Sequence, residues 1–264
     1  MGLRIVQVDA FSAKPFAGNP AAVCVLAHAA DKKWMQQVAR ELNLSETAFL
    51  FRAADAWNLR WFTPTVEIDL CGHATLASAH VLWEDGHLPA GTQARFDTRS
   101  GRLTADRSGE WIEMDFPSQA TTPTAPLETM LEALGVEAKY VGKNRTDYLV
   151  EVETEAAVRA LNPDHSRLRT LPIRGVIVTA RASSAGFDFV SRFFAPGSGV
   201  DEDPVTGSAH CALAPFWSER LGRSSLVGFQ ASPRGGVVAV RLNGDRVILA
   251  GQAVTVLRSE LVTH

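Results

Sequence analysis

Short runs rich in Val and Ile alternate with helical periods along this chain. Leu3–Ala10 and Ala21–Ala27 read as strands. Asp31 predicts an N-cap for a helix reaching Leu42, with Trp34, Val38 and Leu42 at i, i+4 and i+8 on one face. Glu46–Phe51 and Trp57–Thr63 follow as strands; in the second, Trp57, Leu59 and Trp61 alternate with Asn58, Arg60 and Phe62. A polar loop, Pro64–Leu70, leads into a helix from about Gly72 to Glu84, with Gly86 placed to stop it. A strand near Ala94–Thr98 and a hairpin over Arg102–Phe116, turning at Ser108-Gly109, complete the first stretch.

The Thr/Pro segment Pro117–Pro126 breaks the pattern and predicts a linker. The same order then resumes. Strands near Ala138–Val141 and Asp147–Val152 precede a short helix from Thr154 to Leu161, and strands at Arg174–Ala180 and Gly186–Phe194 precede a long loop, Ala195–Val205. A helix from about Gly207 to Leu221 and a strand at Leu226–Ala231 come next. The hairpin Val237–Ala250 turns at Asn243-Gly244, a strong two-residue loop signal. Local sequence repeats with the pattern. Phe62-Thr63-Pro64 parallels Phe194-Ala195-Pro196, Cys71-Gly72-His73-Ala74 parallels Thr206-Gly207-Ser208-Ala209, and Ser108-Gly109 parallels Asn243-Gly244, all offset by 132 to 135 residues. The pattern therefore predicts an α+β chain of two pseudo-symmetric domains, residues 1–117 and 118–264, facing each other across a cleft. The last strand, near 254–264, is expected to return to the first domain.

The chain has 264 residues, 46% of them hydrophobic, and a formal net charge of -3. That is enough for two cores, and its mild acidity gives no basic face for nucleic acid. The longest apolar runs, such as Pro20–Ala27 and Gly175–Ala180, are strand-sized and far short of a bilayer span. Arg4, Gln7 and Asp9 interrupt any secretory leader. Cys24, Cys71 and Cys211 make neither a disulfide framework nor a zinc pattern. No metal, membrane or nucleic-acid partner is expected, and a cytoplasmic location is.

In both copies a strand ends, a loop follows and a glycine opens a helix. Helix N-termini expose unpaired N–H groups and favour anions, so Gly72 and Gly207 mark a pair of mouths suited to a small carboxylate. Glu46 supplies a base: it sits on a strand whose same-face neighbours are Ala48 and Leu50, and an apolar face raises a carboxylate toward the range useful for proton transfer. The repeat offset lands near Val178, so no carboxylate mirrors Glu46. His73 is placed either to contact a ligand or to cap its helix. Asp203 is placed to orient a substrate or His73, and Ser208 to cap or to touch an anion. Asp201 and Glu202 read as solvated loop, and His210 as packed. No G-x-S-x-G elbow, P-loop lysine or H-E-x-x-H is present.

These residues carry a family likeness. Asp9-Ala10-Phe11, the block from Phe16 through Asn19 to Val23, Asn43-Leu44-Ser45-Glu46-Thr47, Phe62-Thr63-Pro64 and Cys71-Gly72-His73-Ala74-Thr75-Leu76 resemble the opening blocks of the PhzF (phenazine biosynthesis-like) family. Ser191–Pro196 and Glu202–His210 are similar to its C-terminal signature. The resemblance implies a diaminopimelate epimerase-like fold, with a mixed barrel-like sheet around a central helix in each domain, a homodimer and no cofactor. It implies Glu46 as the proton-moving acid/base, with His73, Asp203, Ser208, Gly72 and Gly207 contacting substrate, and Asn19 and Cys71 as auxiliaries. Related epimerases use a cysteine at each helix mouth. Here Cys71 stands at the first and Thr206 at the second, and a threonine hydroxyl is too weak an acid for that role. The expected activity is a proton-transfer isomerase acting on a small carboxylated metabolite. A Cys71-assisted amino-acid epimerase and a non-catalytic binding protein of the same fold are the rival readings.

Overall fold

In a computed structural model, which describes Gly2–Val262, chain contacts sort the strands and helices into two units. One unit runs to Asp115 and is joined again by the chain from Ala250; the other is Phe116–Leu249.

The first unit contains β1 (Leu3–Ala10), β2 (Asn19–Leu26), α1 (Lys32–Leu42), β3 (Glu46–Ala53), β4 (Ala56–Phe62), β5 (Glu67–Ile68), α2 (Gly72–Glu84), β6 (Ala94–Thr98), β7 (Gly101–Ser108) and most of β8 (Trp111–Pro117). Its ladder is antiparallel from β1 to β2, parallel to β3, antiparallel to β4, parallel to β6, then antiparallel through β7 and β8. The second unit contains β9 (Thr122–Pro123), α3 (Met130–Leu134), β10 (Tyr140–Lys143), β11 (Asp147–Glu151), α4 (Glu155–Arg159), α5 (His165–Arg169), β12 (Gly175–Arg181), β13 (Phe189–Phe194), α6 (Gly207–Leu221), β14 (Ser225–Gln230), β15 (Gly236–Asn243) and β16 (Arg246–Gly251). From β10 through β15 it repeats the alternation: antiparallel, parallel, antiparallel, parallel, antiparallel. β17 (Ala253–Leu261) pairs antiparallel with β1. Thr263 and His264, within the strand expected near 254–264, lie outside the described residues.

Register aligns the copies residue by residue. Thr47 pairs with Phe62 in the first unit and Val176 with Phe194 in the second. The position equivalent to Glu46 is therefore Gly175, not the neighbourhood of Val178. The mouths α2 and α6 keep the sequence offset, Gly72 with Gly207.

The two mouth helices are the buried ones. Ten of the 13 residues of α2 are buried, and its apolar side chains spread all round the helix, the pattern of an element wrapped on every side. Thr75 and Ser78, polar residues in this helix, donate back to the Cys71 and Ala74 carbonyls. By contrast α1 is two-faced and capped by Asp31, whose carboxylate accepts from the Lys33 and Trp34 amides. Its buried face is Met35, Val38 and Ala39, not the expected Trp34–Val38–Leu42 row. A spacing of four drifts from the 3.6-residue period, so Trp34 and Leu42 fall on the flanks. The hairpin turns rest on Gly109 and Gly244, both at positive φ (63° and 60°).

Other expectations are corrected. The segment Pro117–Pro126 is partly structured, since Pro117 ends β8 and β9 pairs with β10. The short helices α3 and α5 have no counterpart in the sequence reading.

Candidate active site

Glu46 opens β3 and His73 lies in the first turn of α2, 27 residues later. The fold brings Glu46 Oε2 to 2.9 Å from His73 Nε2, with the side chains 15% and 6% exposed. Oε2 itself is buried, and the contact lacks the alignment of a full hydrogen bond. The ring is held from its other side. Asn19 Nδ2 lies 3.1 Å from Nδ1, and the Ser45 hydroxyl donates to Asn19 Oδ1 at 3.2 Å.

Cys71 completes the group as the N-cap of α2, making no side-chain capping bond. Its Sγ is 3.6 Å from Nδ1 and 3.9 Å from Nε2 of His73. One ligand atom each from Glu46, Cys71 and His73 fall within 4.8 Å of one another. Burial pushes the Cys71 thiol up, the Glu46 charge adds to this, and His73 pulls the other way. Burial opposes the charge on His73, yet neighbouring Cys71 and Glu46 hold its pKa well above the usual value.

The mouth of α6 is built differently. Its N-cap is Thr206, whose hydroxyl donates to Asp203 Oδ2 and whose amide donates to Gln230 Oε1 at 2.9 Å. Gln230 Nε2 returns a bond to the Asp203 carbonyl at 2.7 Å. Ser208 does not cap the helix. Its hydroxyl takes a bond from Arg174 Nη2 at 3.0 Å, and Arg174 forks onto Asp147, a carboxylate only 1% exposed. His210 is packed as expected: Nδ1 bonds the Thr206 carbonyl at 2.8 Å, and burial pushes its pKa down to about 4. At the position of Glu46, a Cβ on Gly175 would stand 2.4 Å from Phe193 Cζ and 2.9 Å from the Phe194 carbonyl oxygen. A carboxylate has no room there.

Each mouth hangs from a loop, and each loop is pinned to the strand before it. Arg60 Nε meets Glu67 Oε1 at 2.8 Å; Arg192 grips Glu202 with two bonds of 2.7 Å and also donates to the Leu161 carbonyl at 2.6 Å. Glu202 is thus a paired, half-buried residue and not solvated loop, and Asp201 bonds Arg169 at 2.8 Å. These struts escaped the sequence reading although a signal existed. Arg60 and Arg192 both stand two residues before the matched phenylalanines, and Glu67 and Glu202 share the offset of the mouth glycines.

The family description "Phenazine biosynthesis-like protein" (PhzC-PhzF) matches residues 8–259. The chain belongs to this family. A relative named an uncharacterized isomerase in Halalkalibacterium halodurans is 54% identical over 263 residues, 99% of each chain. Among solved structures, a PhzF-family protein of Enterococcus faecalis aligns with TM-score 0.95 at 40% identity, covering 100% of both chains. A predicted epimerase of Pseudomonas aeruginosa aligns with TM-score 0.80 at 25% identity, covering 99% of this chain and 100% of the other. The repeated mixed ladder with its buried helix is the diaminopimelate epimerase-like fold these PhzF and epimerase-type structures share. Among the described residues no helix is long and apolar enough to cross a membrane.

Proposed function

We propose that this PhzF-family isomerase moves a proton between carbons of a small carboxylated metabolite, with Glu46 as its single acid/base and without a cofactor. The observation that carries this reading is the Glu46–His73 contact at 2.9 Å, set against a glycine at the equivalent place in the second unit. As a carboxylate, Glu46 takes a proton from an acidic C–H. The His73 ring stands beside this carboxylate, and its raised basicity suits it to bear positive charge beside the anion that forms. The first-turn N–H groups at Gly72 and Gly207, with the Ser208 hydroxyl, hold the substrate carboxylate, and Asp203 orients the substrate. Protonated Glu46 then returns the proton to a different carbon. Thr206 already donates to Asp203, so it offers no second base. This favours isomerisation over racemisation, and the assembly proposed is a homodimer.

The test is proton exchange at carbon. Candidate carboxylates are incubated with the protein in heavy water and followed by NMR. Wild-type protein is expected to place deuterium on the substrate, and folded, dimeric Glu46→Gln is expected to place none. Exchange at the wild-type rate in Glu46→Gln overturns the mechanism, while tight binding with no exchange in the wild type favours a binding protein. One observation favours a second reading, a Cys71-assisted epimerase: the thiol lies 3.6 Å from the same imidazole. Under the isomerase reading Cys71→Ala keeps turnover within about 3-fold of wild type, whereas a loss as deep as that of Glu46→Gln favours the epimerase.

A further inference from the structure

We propose that Glu46, Cys71 and His73 form a binding site for one thiophilic divalent cation, Zn²⁺ being the natural candidate, whose occupancy ties up the Glu46 carboxylate. The inference shares residues with the proposed function but does not depend on the reaction.

The donor set is thiolate, imidazole and carboxylate, the mixture that suits zinc and disfavours Mg²⁺ or Ca²⁺. The donors already converge. Nε2 of His73 is 2.9 Å from Glu46 Oε2 and 3.9 Å from Cys71 Sγ, and no pair of ligand atoms exceeds 4.8 Å. Small side-chain shifts would bring the three donors to the roughly 2.0–2.3 Å that zinc takes to N, O and S. Two further observations point to a cation. Glu46 Oε2 is buried without an aligned donor, so a lone pair is left for a metal. And the complex would be neutral, since the dication balances one thiolate and one carboxylate around a neutral ring, the charge state least penalised by burial. Binding releases the Cys71 proton as the S–Zn bond forms, and the second proton of a protonated His73 ring as Nε2 takes the metal.

Asn19 supplies the supporting shell. A histidine ligating through Nε2 carries its proton on Nδ1 and needs an acceptor there. Turning the Asn19 amide brings Oδ1 to that nitrogen, and the Ser45 hydroxyl can bond either end of the amide. Three protein ligands leave a fourth position for water, the arrangement of an exchangeable zinc rather than a structural one.

The test titrates Co²⁺, Cd²⁺ and Zn²⁺ into the whole protein with no substrate present. One equivalent is expected to bind, with a sulfur-to-metal charge-transfer band for Cd²⁺ and tetrahedral visible bands for Co²⁺. Cys71→Ser, a one-atom change, should abolish the Cd²⁺ band although Cys24 and Cys211 remain. It should also weaken Zn²⁺ by more than about 100-fold, and Asn19→Ala should weaken it by about 10-fold. Absence of stoichiometric binding, or a band that survives Cys71→Ser, overturns the site. Run in excess chelator, the deuterium-exchange assay reports on the isomerase alone, so either proposal can fail without the other.

Discussion

The mouths of α2 and α6 are built on the same frame and carry different chemistry. In both units a loop leaves the fourth strand of the repeat, is pinned by an Arg–Glu pair, and delivers an uncapped helix opening on glycine. At the equivalent positions, however, the residues diverge. Cys71 answers to Thr206, His73 to Ser208, Ser45 to Arg174 and Glu46 to Gly175. The first mouth collects groups that hold or release protons. The second collects groups whose protons are committed: Thr206 to Asp203, Arg174 to Asp147 and Ser208. The duplicated frame sets the backbone, and under the proposed mechanism a few substitutions at fixed register decide which copy acts on a C–H bond.

The widest expected contrast is kinetic. Glu46→Gln should lower kcat by about 10²–10⁴-fold, the range for a lost general acid/base. Ser208→Ala removes a hydroxyl proposed to contact the substrate anion, and is expected to raise KM about 10-fold while kcat stays within about 3-fold. Steady-state kinetics on any substrate found by exchange separates the two. A kcat collapse in Ser208→Ala would place proton chemistry at the second mouth and break the comparison.

Next come the struts. Arg192 and Glu202 are 9% and 15% exposed, and Arg192→Ala leaves a half-buried carboxylate unpaired, with an expected cost of about 3–5 kcal/mol and a melting temperature lowered by about 10 °C. Arg60→Ala should cost about 1 kcal/mol, because Glu67 retains Lys32 at 3.0 Å and Arg99 at 3.3 Å. Equal melting temperatures for the two variants would show that partners at the Glu67 end do not compensate.

Much of this was legible in the sequence. Strand and helix order could be read because most elements span a full period, and the repeat because glycines and Phe-x-Pro marks sit at constant offset. The residues brought together at the first mouth all lie in quoted blocks: Asn19, Glu46, Cys71 and His73. What escaped depends on register. A constant offset pointed near Val178, while strand pairing puts Gly175 opposite Glu46 in the repeat, because the copies differ in length between β2 and α2 and between β11 and α6. Pairs such as Arg174–Asp147 and Arg192–Glu202 join a strand to a loop, and no local periodicity encodes their meeting.

Gly175 gives the third test. A Cβ there meets the Phe193 ring and the Phe194 carbonyl, so Gly175→Ala should cost about 1–3 kcal/mol as the strand pair shifts. The matching change, Glu46→Ala, should alter stability by less than about 1 kcal/mol, since the position accepts a side chain. Thermal melts of both decide whether crowding bars a second carboxylate. A harmless Gly175→Ala would mean that chemistry alone, and not packing, keeps the second copy without one.

The smallest effect tests the first strut by pH. The hydrogen bond from Arg60 holds the Glu67 carboxyl well down, to about 2 from 4.5; burial works against this and Lys32 assists it. A depressed folded pKa stabilises the native state above the unfolded value and loses that contribution as pH falls through the folded one. Glu67→Gln should therefore melt about 2–4 °C below wild type at pH 7, and the gap should narrow as pH drops from 4.5 toward 2. A gap that holds constant down to the acid limit of folding would assign the effect to packing around β5, leaving the Arg60–Glu67 charge pair without a role in holding the α2 mouth.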